Sequence, residues 1–381
     1  RLSLLLIGGV LALIWGGYLL IGDGLPLQLT VALVAVVGVS VVSLRRMISI
    51  DQTSQFAIAL IVSIIVILVV IKFPPLANYF GFSLNWDTAS LATANPFVWL
   101  GFSYIAFRLM AILFDYRAGR LPKQGFSLRD MAVYVLFFPA FTAGPIDRAQ
   151  RFIPELNETK PLDSARLVEG GTRIMVGVFK KFVVADSLAL VAMSSRLIEL
   201  SESQAGLWLI LYLYAFQIFF DFSGYSDVAI GLGRLYGITL PENFDRPYLQ
   251  RNIQQFWQRW HITLSTWFRV YYFTPLSRAF ITSKIDFPQP FVILFSQVTT
   301  MVLIGLWLWG VWHGVGLFAH KMLADNTRGW TKRVNSRGWS RGLLYGVSVL
   351  TTFHVVTLGW VFFALPDASH SLNMILRLFG L

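Results

Sequence analysis

The sequence predicts an all-α polytopic membrane protein, a multi-helix bundle. Only 13% of its 381 residues are charged, against about 25% in soluble domains. Its mean hydropathy is +0.63. Apolar runs approaching the ~20 residues needed to cross a bilayer recur along the whole chain. The net charge of +11 rests on Lys and Arg set between these runs, as in cytoplasmic loops. A nucleic-acid partner is not expected from that spacing. The chain has no cysteine, which excludes disulfides and thiolate chemistry.

Candidate spans fall at 4–21, 28–44, 55–71, 97–114, 131–143, 173–194, 205–220, 291–319 and 343–364. The run 4–20 is too long for a signal-peptide core and reads as the first span. The chain opens on Arg1 rather than Met, which leaves the natural N-terminus open. Arg45-Arg46 and "DYRAGRLPKQ" at 115–124 are basic, whereas 73–96 lacks Lys and Arg. The positive-inside rule therefore puts the N-terminus, 45–54 and 115–130 in the cytoplasm and 73–96 outside. "FFPAFTAGPIDR" at 137–148 is apolar but holds Pro139 and Pro145. A straight lipid-facing helix tolerates such prolines poorly, so this segment reads as re-entrant or interfacial. "ASHSLNMILRLFG" at 368–380 has apolar residues at helical spacing and reads as an amphipathic helix on the membrane surface.

Polar residues gather in 217–276. Asp221, Ser223, Tyr225 and Asp227 follow directly on an apolar span. Asp221 and Tyr225 are four apart, as are Ser223 and Asp227, so each pair would share a helical face. Carboxylates at such depth face a partner or a cavity. The partners within this stretch are Arg234, Arg246 and Arg259. Two readings stay open: a structural ion-pair network, or the lining of a polar cavity. "PENFDRPY" at 241–248 is a turn-rich connector in which Asn243 can bond local backbone. In "FWQRWHITLSTWFR", 256–269, Trp257, His261, Leu264, Ser265 and Phe268 would fall on one helical face, with Trp260 and Trp267 around the rest. "GLGRLYG" follows no predicted strand, so it carries no nucleotide reading.

The five histidines are His261, His313, His320, His354 and His370. None forms the i, i+4 pair of a zinc helix, so a metal site is not expected; a permanently bound cofactor is not expected either. His313 lies in "LIGLWLWGVWHGVGLFAH", 303–320, a run with three tryptophans and four glycines. Gly310 and Gly314 flank it and would let another backbone approach. A neutral histidine kept from water can serve as a general base.

These motifs, in this order, resemble the membrane-bound O-acyltransferases, in the bacterial branch of the alginate O-acetylation and teichoic-acid D-alanylation proteins. The likeness covers about 100 to the C-terminus and rests on "FFPAFTAGPIDR", "FQIFFDFSGYSDVAIGLGRLYGITLPENFDRPY", "FWQRWHITLSTWFR", "LWGVWHG" and "LTTFHVVTLGWVFFALPDASHSLNMILRLFG". It implies one integral-membrane acyltransferase domain over 1–381, with N-terminal spans in 1–96 and the motif-bearing core in 97–381. It also implies re-entrant or interfacial helices around a transmembrane tunnel. An acyl thioester, on coenzyme A or an acyl-carrier protein, would enter from the cytoplasm. The acyl group, acetyl by analogy, would pass to a hydroxyl of an extracytoplasmic polysaccharide, lipid or carrier protein, with a partner acyltransferase as a further implied partner. The location implied is the bacterial cytoplasmic membrane, with membrane lipids as surroundings.

The resemblance carries catalysis to His261, in "RWHITLS", and His313, in "GVWHG". It carries tunnel lining or support to Asp221, Ser223, Tyr225, Asp227, Asn243, Arg246, Trp257, Arg259, Trp260, Ser265, Trp307 and Trp312. The sequence departs from the branch in two places. After "GLW" at 305–307 a histidine is expected where Leu308 stands, and a short intervening piece is absent. Either His313 is then the base, or the base belongs to that piece and His313 is secondary. Val270 stands where the branch carries an acidic residue. Two other functions stay open: a transporter, motivated by Arg108, Asp221 and Asp227, and an inactive scaffold, motivated by Leu308.

Overall fold

A computed structural model describes residues 57–66, 101–122, 125–158, 162–282, 288–304, 307–335, 338–365 and 367–381. Among them every regular element is helical, apart from one isolated antiparallel bridge between Phe244 and Trp260. The α-helices of seven or more described residues are α1 (Ala57–Val66), α2 (Phe102–Arg117), α3 (Leu128–Leu136), α4 (Ala149–Asn157), α5 (Ser164–Val178), α6 (Gln204–Leu235), α7 (Ile253–Arg259), α8 (Ile262–Phe268), α9 (Thr274–Ile281), α10 (Gln289–Ile304), α11 (Trp307–Asn335), α12 (Gly338–Ala364) and α13 (Ala368–Leu378). The expected spans 4–21 and 28–44, the loop 73–96 and the N-terminal orientation lie outside the described residues.

The chain divides into two compact units. One runs to Thr142 and includes Arg148–Ile153; the other holds Ala143–Asp147 and Pro154–Leu381. In the first, the predicted span 131–143 is broken. Helix α3 ends at Leu136; Phe137 after it, with ψ 101°, leaves the helical region, and a single turn, Phe138–Phe141, follows. The break strands carbonyls that a continuous helix would have bonded. Arg108 of α2, 1% exposed, supplies the donors: its guanidinium reaches the carbonyls of Tyr134 at 3.0 Å, Val135 at 3.4 Å and Ala140 at 3.3 Å. Arg108 is thus engaged in holding a broken helix. Asp115 on the same helix accepts from Arg120 and Gln150.

In the second unit α5 continues through a π-helical segment, Phe179–Ala185, and a further turn, Asp186–Ala189. The resulting rod lies antiparallel against α6. Glycines spaced seven apart on each helix meet in pairs, Gly170 with Gly231 and Gly177 with Gly224. A Cβ on Gly177 would sit 2.6 Å from the Gly224 carbonyl oxygen. Only glycine permits this backbone contact, the device by which helices associate in lipid.

Helix α6 outruns the predicted 205–220. At 1.5 Å per residue its 32 residues span about 48 Å, more than the ~30 Å hydrocarbon layer. Its polar C-terminal third stays helical because α5 covers it. Helix α6 and Gly342–Ala364 of α12 are long and apolar enough to cross a membrane. Both turn large apolar side chains outward, among them Leu209, Phe216, Leu343 and Leu350, as lipid contact requires.

The predicted span 291–319 is two helices, α10 and α11. Gly310 and Gly314 of α11 abut the backbone of Val302 and Val298, the close approach their size predicts. Helix α13 packs one apolar face on the protein. Its Met374 and Leu378 are buried with Leu207, Leu211 and Val361. Trp208 donates to the Leu378 carbonyl at 3.1 Å, and Arg377 donates to the Ile198 and Ser201 carbonyls. Asp367 caps α13 by accepting from the Ser369 N–H at 2.6 Å.

Candidate active site

The predicted single helix 256–269 does not form. Helix α7 ends at Arg259, Trp260 is extended, and His261 takes left-handed φ 43°, ψ 55° before α8 begins. The shared face of Trp257, His261, Leu264, Ser265 and Phe268 is therefore split between two helices. A left-handed non-glycine residue costs about 1–2 kcal/mol. What holds it is the connector "PENFDRPY", which runs alongside as a bridge: Asp245 N–H donates to the Arg259 carbonyl at 3.1 Å, and Ile262 N–H to the Asn243 carbonyl at 2.9 Å.

Asn243 is the hub of this corner and is fully buried. Its Oδ1 accepts from Thr263 Oγ1 at 2.6 Å and from Thr263 N–H at 3.4 Å. Its Nδ2 donates to Ser226 Oγ of α6 at 3.2 Å. Thr263 Oγ1 in turn accepts from Ile146 N–H at 3.1 Å. The corner fixes His261, whose ring meets Phe222 edge-on at 4.6 Å. Its Nε2 is buried with no hydrogen-bond partner among the described residues.

Beside the corner lies a cavity of about 430 Å³, lined by Ser223, Asp227, Asn243 and Arg246 together with Arg173 and Lys180 of the α5 rod. Asp227 accepts from Arg173 Nε and Lys180 Nζ, both at 2.6 Å. Arg173 also donates to Glu242 at 2.5 Å. Ser223 Oγ is buried without a partner among the described residues. Of the four polar residues of this stretch, Ser223 and Asp227 line the cavity, and Asp227 is at the same time part of an ion-pair network.

Three expectations need correction. The cations serving Asp227 come from α5, not from Arg234, Arg246 or Arg259. Arg234 pairs with Glu169, and Arg259 with Asp245. Asp221, half-exposed, pairs with Lys181 and does not line the cavity; nor does Tyr225, which approaches the Ala143 backbone. Ser265 donates to the Trp260 carbonyl at 3.2 Å and stays a local helix contact.

His313 lies in a second, aromatic environment. It is 0% exposed. The Trp257 indole N–H donates to its Nδ1 at 3.3 Å, with the two rings edge-on at 5.2 Å. Trp309 stands one helical turn away at 4.8 Å, Phe256 is parallel at 6.4 Å, and Trp360 of α12 lies at 6.3 Å. Trp260 packs on Trp360 at 5.0 Å and completes the cluster. The Trp312 indole donates outward to the Val355 carbonyl. His313 Nε2 has no partner among the described residues. The side chain of Trp307 lies outside the described ones. Arg173, Lys180, Ser226, Thr263 and Gly359 were not singled out from the sequence. The sevenfold spacing of Gly170 and Gly177, matching Gly224 and Gly231, is the signal that brings the two cations to Asp227.

Comparison with known proteins follows from this geometry. The profile of the membrane-bound O-acyltransferase family matches residues 45–353. The chain is 33% identical over 336 residues to the Pseudomonas syringae pv. tomato protein named "Probable alginate O-acetylase AlgI", covering 84% of the chain and 60% of that protein. It is 30% identical over 291 residues to the teichoic acid D-alanyltransferase of Streptococcus thermophilus, covering 70% and 68%. With the peptidoglycan O-acetyltransferase of Helicobacter pylori it shares 32% over 276 residues, covering 68% and 49%. The chain spans about six-tenths of the length of the alginate relatives it matches. Its ordered motifs, its helices and this match agree: the chain belongs to the membrane-bound O-acyltransferase family.

Proposed function

We propose that the chain transfers an acyl group, acetyl in the first instance, from a thioester donor to a hydroxyl of a cell-surface polymer. The donor is an acyl-coenzyme A or acyl-carrier protein reached from the cytoplasm. The acceptor is an extracytoplasmic polysaccharide, lipid or carrier protein, reached directly or through a partner acyltransferase. The chain sits multi-pass in the bacterial cytoplasmic membrane, with its N-terminus in the cytoplasm. The observation that carries this reading is the pair of buried histidines, His261 and His313, each with an unpartnered Nε2. Acyl transfer needs a group to take the hydroxyl proton and another to steady the oxyanion. An imidazole shielded from bulk water can take either role, and that shielding spares the thioester from hydrolysis. The printed names of the relatives support the polymer acceptor, since alginate, teichoic acid and peptidoglycan are all cell-envelope polymers.

Transfer of radiolabelled acetyl from acetyl-coenzyme A, and separately from an acetylated carrier protein, to alginate, teichoic acid or peptidoglycan tests the proposal. The purified chain, with its partner acyltransferase supplied, should label one of them. His261→Ala should lower the rate at least ~100-fold. An unlabelled polymer in every combination would leave the inactive scaffold as the better reading. Transport by reconstituted vesicles without acyl chemistry would favour the transporter reading instead.

A further inference from the structure

A second pocket opens just after the connector that holds His261. Gln250 and Arg251, Gln255, Gln258 and Arg259 of α7, and Tyr345 of α12 line it, and its volume is about 340 Å³. No Asp or Glu is among its lining residues. This sets it apart from the cavity beside Asn243, where Arg173, Lys180 and Arg246 are matched by Asp227, Glu242 and Asp245. Arg259 pairs with Asp245, which lines that other cavity and not this one. Arg251 has no ion pair and no side-chain hydrogen bond among the described residues. Its guanidinium lies over the Tyr345 ring at 5.6 Å. An aromatic face steadies a cation and leaves its five N–H donors free.

The pocket also has a height. Tyr345 stands near the start of the apolar stretch Gly342–Ala364, and its hydroxyl approaches the Leu249 carbonyl at 3.4 Å. Tyrosines gather where hydrocarbon meets water, so the pocket sits at the level of the phospholipid headgroups. Surplus positive charge with amide donors around it selects an anion. A phosphate ester matches the fork of arginine, and basic pockets at the ends of membrane helices take phosphorylated headgroups.

We propose that this pocket binds a phosphate ester between Arg251 and Arg259. Two sources bring that chemistry to it. One is an anionic phospholipid of the membrane. The other is the phosphopantetheine arm common to coenzyme A and acyl-carrier proteins, and this source rests on the acyl-transfer reading. The ester oxygens accept from both guanidinia, and no covalent bond changes. Arg259 is tied to the connector twice: its side chain pairs with Asp245, and its carbonyl accepts from the Asp245 N–H at 3.1 Å. It stands two residues before His261. A ligand on Arg259 therefore steadies the turn that carries His261.

The full chain in phosphatidylcholine nanodiscs separates the two sources. Isothermal titration with phosphopantetheine and with pantetheine, which differ by the phosphate, tests the donor arm. Doping with phosphatidylglycerol and weighing the retained lipid by native mass spectrometry tests the headgroup. At least one source should bind: phosphopantetheine at least about tenfold tighter than pantetheine, or phosphatidylglycerol kept in preference to phosphatidylcholine, whose choline cation the guanidinia repel. Arg251→Gln should weaken that binding at least about tenfold, the worth of one charged hydrogen bond. Arg251→Lys should restore only part. Arg251 is exposed, so Arg251→Gln should keep the wild-type melting curve. Exchange of the peptide 260–266 should slow severalfold on binding. Wild-type affinity in Arg251→Gln, or no preference for either phosphate-bearing probe, would overturn the proposal. Binding that leaves exchange at 260–266 unchanged would overturn the link to His261. The readouts need no activity, so the expected binding in a chain that labels no polymer would refute the acyl-transfer reading and leave the phosphate pocket standing.

Discussion

Replacing Asn243 with alanine removes the side chain that ties α6 to the turn at His261. Three contacts go: Thr263 Oγ1 at 2.6 Å, Thr263 N–H at 3.4 Å and Ser226 Oγ at 3.2 Å. The 3.4 Å contact is weak. The Ser226 hydroxyl can rotate, and Thr263 Oγ1 keeps the Ile146 N–H. The loss then amounts to one buried hydroxyl donor left unmet and one ordinary hydrogen bond, about 3 kcal/mol in all. That is a factor of roughly 10² in the local opening equilibrium. The backbone bond from Ile262 N–H to the Asn243 carbonyl survives, so the corner should loosen rather than unfold the protein. Hydrogen–deuterium exchange of the peptide covering 260–266 should accelerate about 100-fold, while α10 and α12 keep their wild-type protection. Exchange at 260–266 within threefold of wild type would refute the idea that Asn243 holds His261 in its left-handed conformation.

Gly224→Ala would push a Cβ to 2.7 Å from the Gly177 carbonyl oxygen and 2.9 Å from the Lys181 nitrogen. Backbone cannot give way as a side chain can, so thermal unfolding followed by tryptophan fluorescence should register a loss near the top of the ~1–3 kcal/mol overpacking range. Arg108→Ala strands the carbonyls of Tyr134, Val135 and Ala140 and should cost about 3 kcal/mol; faster limited proteolysis at 137–148 is the expected readout, and Arg108→Lys, lacking the fork, should restore only part. The Ser369 hydroxyl and N–H hold the Asp367 carboxyl below the usual carboxylate range. The sign is that of a lowered acid: the α13 cap is fully present above about pH 4 and is lost as pH falls through the native value. Exchange protection of 368–378, corrected for intrinsic rate, should therefore drop only in strong acid, and Asp367→Asn should abolish that dependence.

How much of this was legible in the sequence differs from place to place. The helical, membrane-bound class followed from charge content and apolar runs, and the break at 137–148 from Pro139 and Pro145. The roles of Gly310 and Gly314 followed from their size. The turn at His261 was not legible, because its φ of 43° is imposed by Asn243 and Phe244, distant in sequence. Nothing in "FWQRWHITLSTWFR" itself forbids a helix. The partners of Asp227 were misplaced for a related reason. Arginines close in sequence were the visible candidates, whereas Arg173 and Lys180 arrive through a helix-to-helix contact made by glycines. The docking of α13 on Leu207 and Leu211 has the same apolar period as docking on lipid, and periodicity cannot tell the two surfaces apart.

The glycine pairs of α5 and α6 work as the teeth of a ratchet that engages at one setting. In lipid there is little hydrophobic force to hold one apolar helix at a given height against another. A slide by one turn would drive Ile174 or Val228, each already touching a glycine of the facing helix, into backbone. The same slide would carry Arg173 and Lys180 away from Asp227, and Lys181 away from Asp221. Steric fit and charge thus select a single alignment by independent means. The two helices are also neighbours in sequence, joined by 190–203, so this alignment can be tested before α10, α11 and α12 follow. The hairpin that walls the cavity carries its own registration marks.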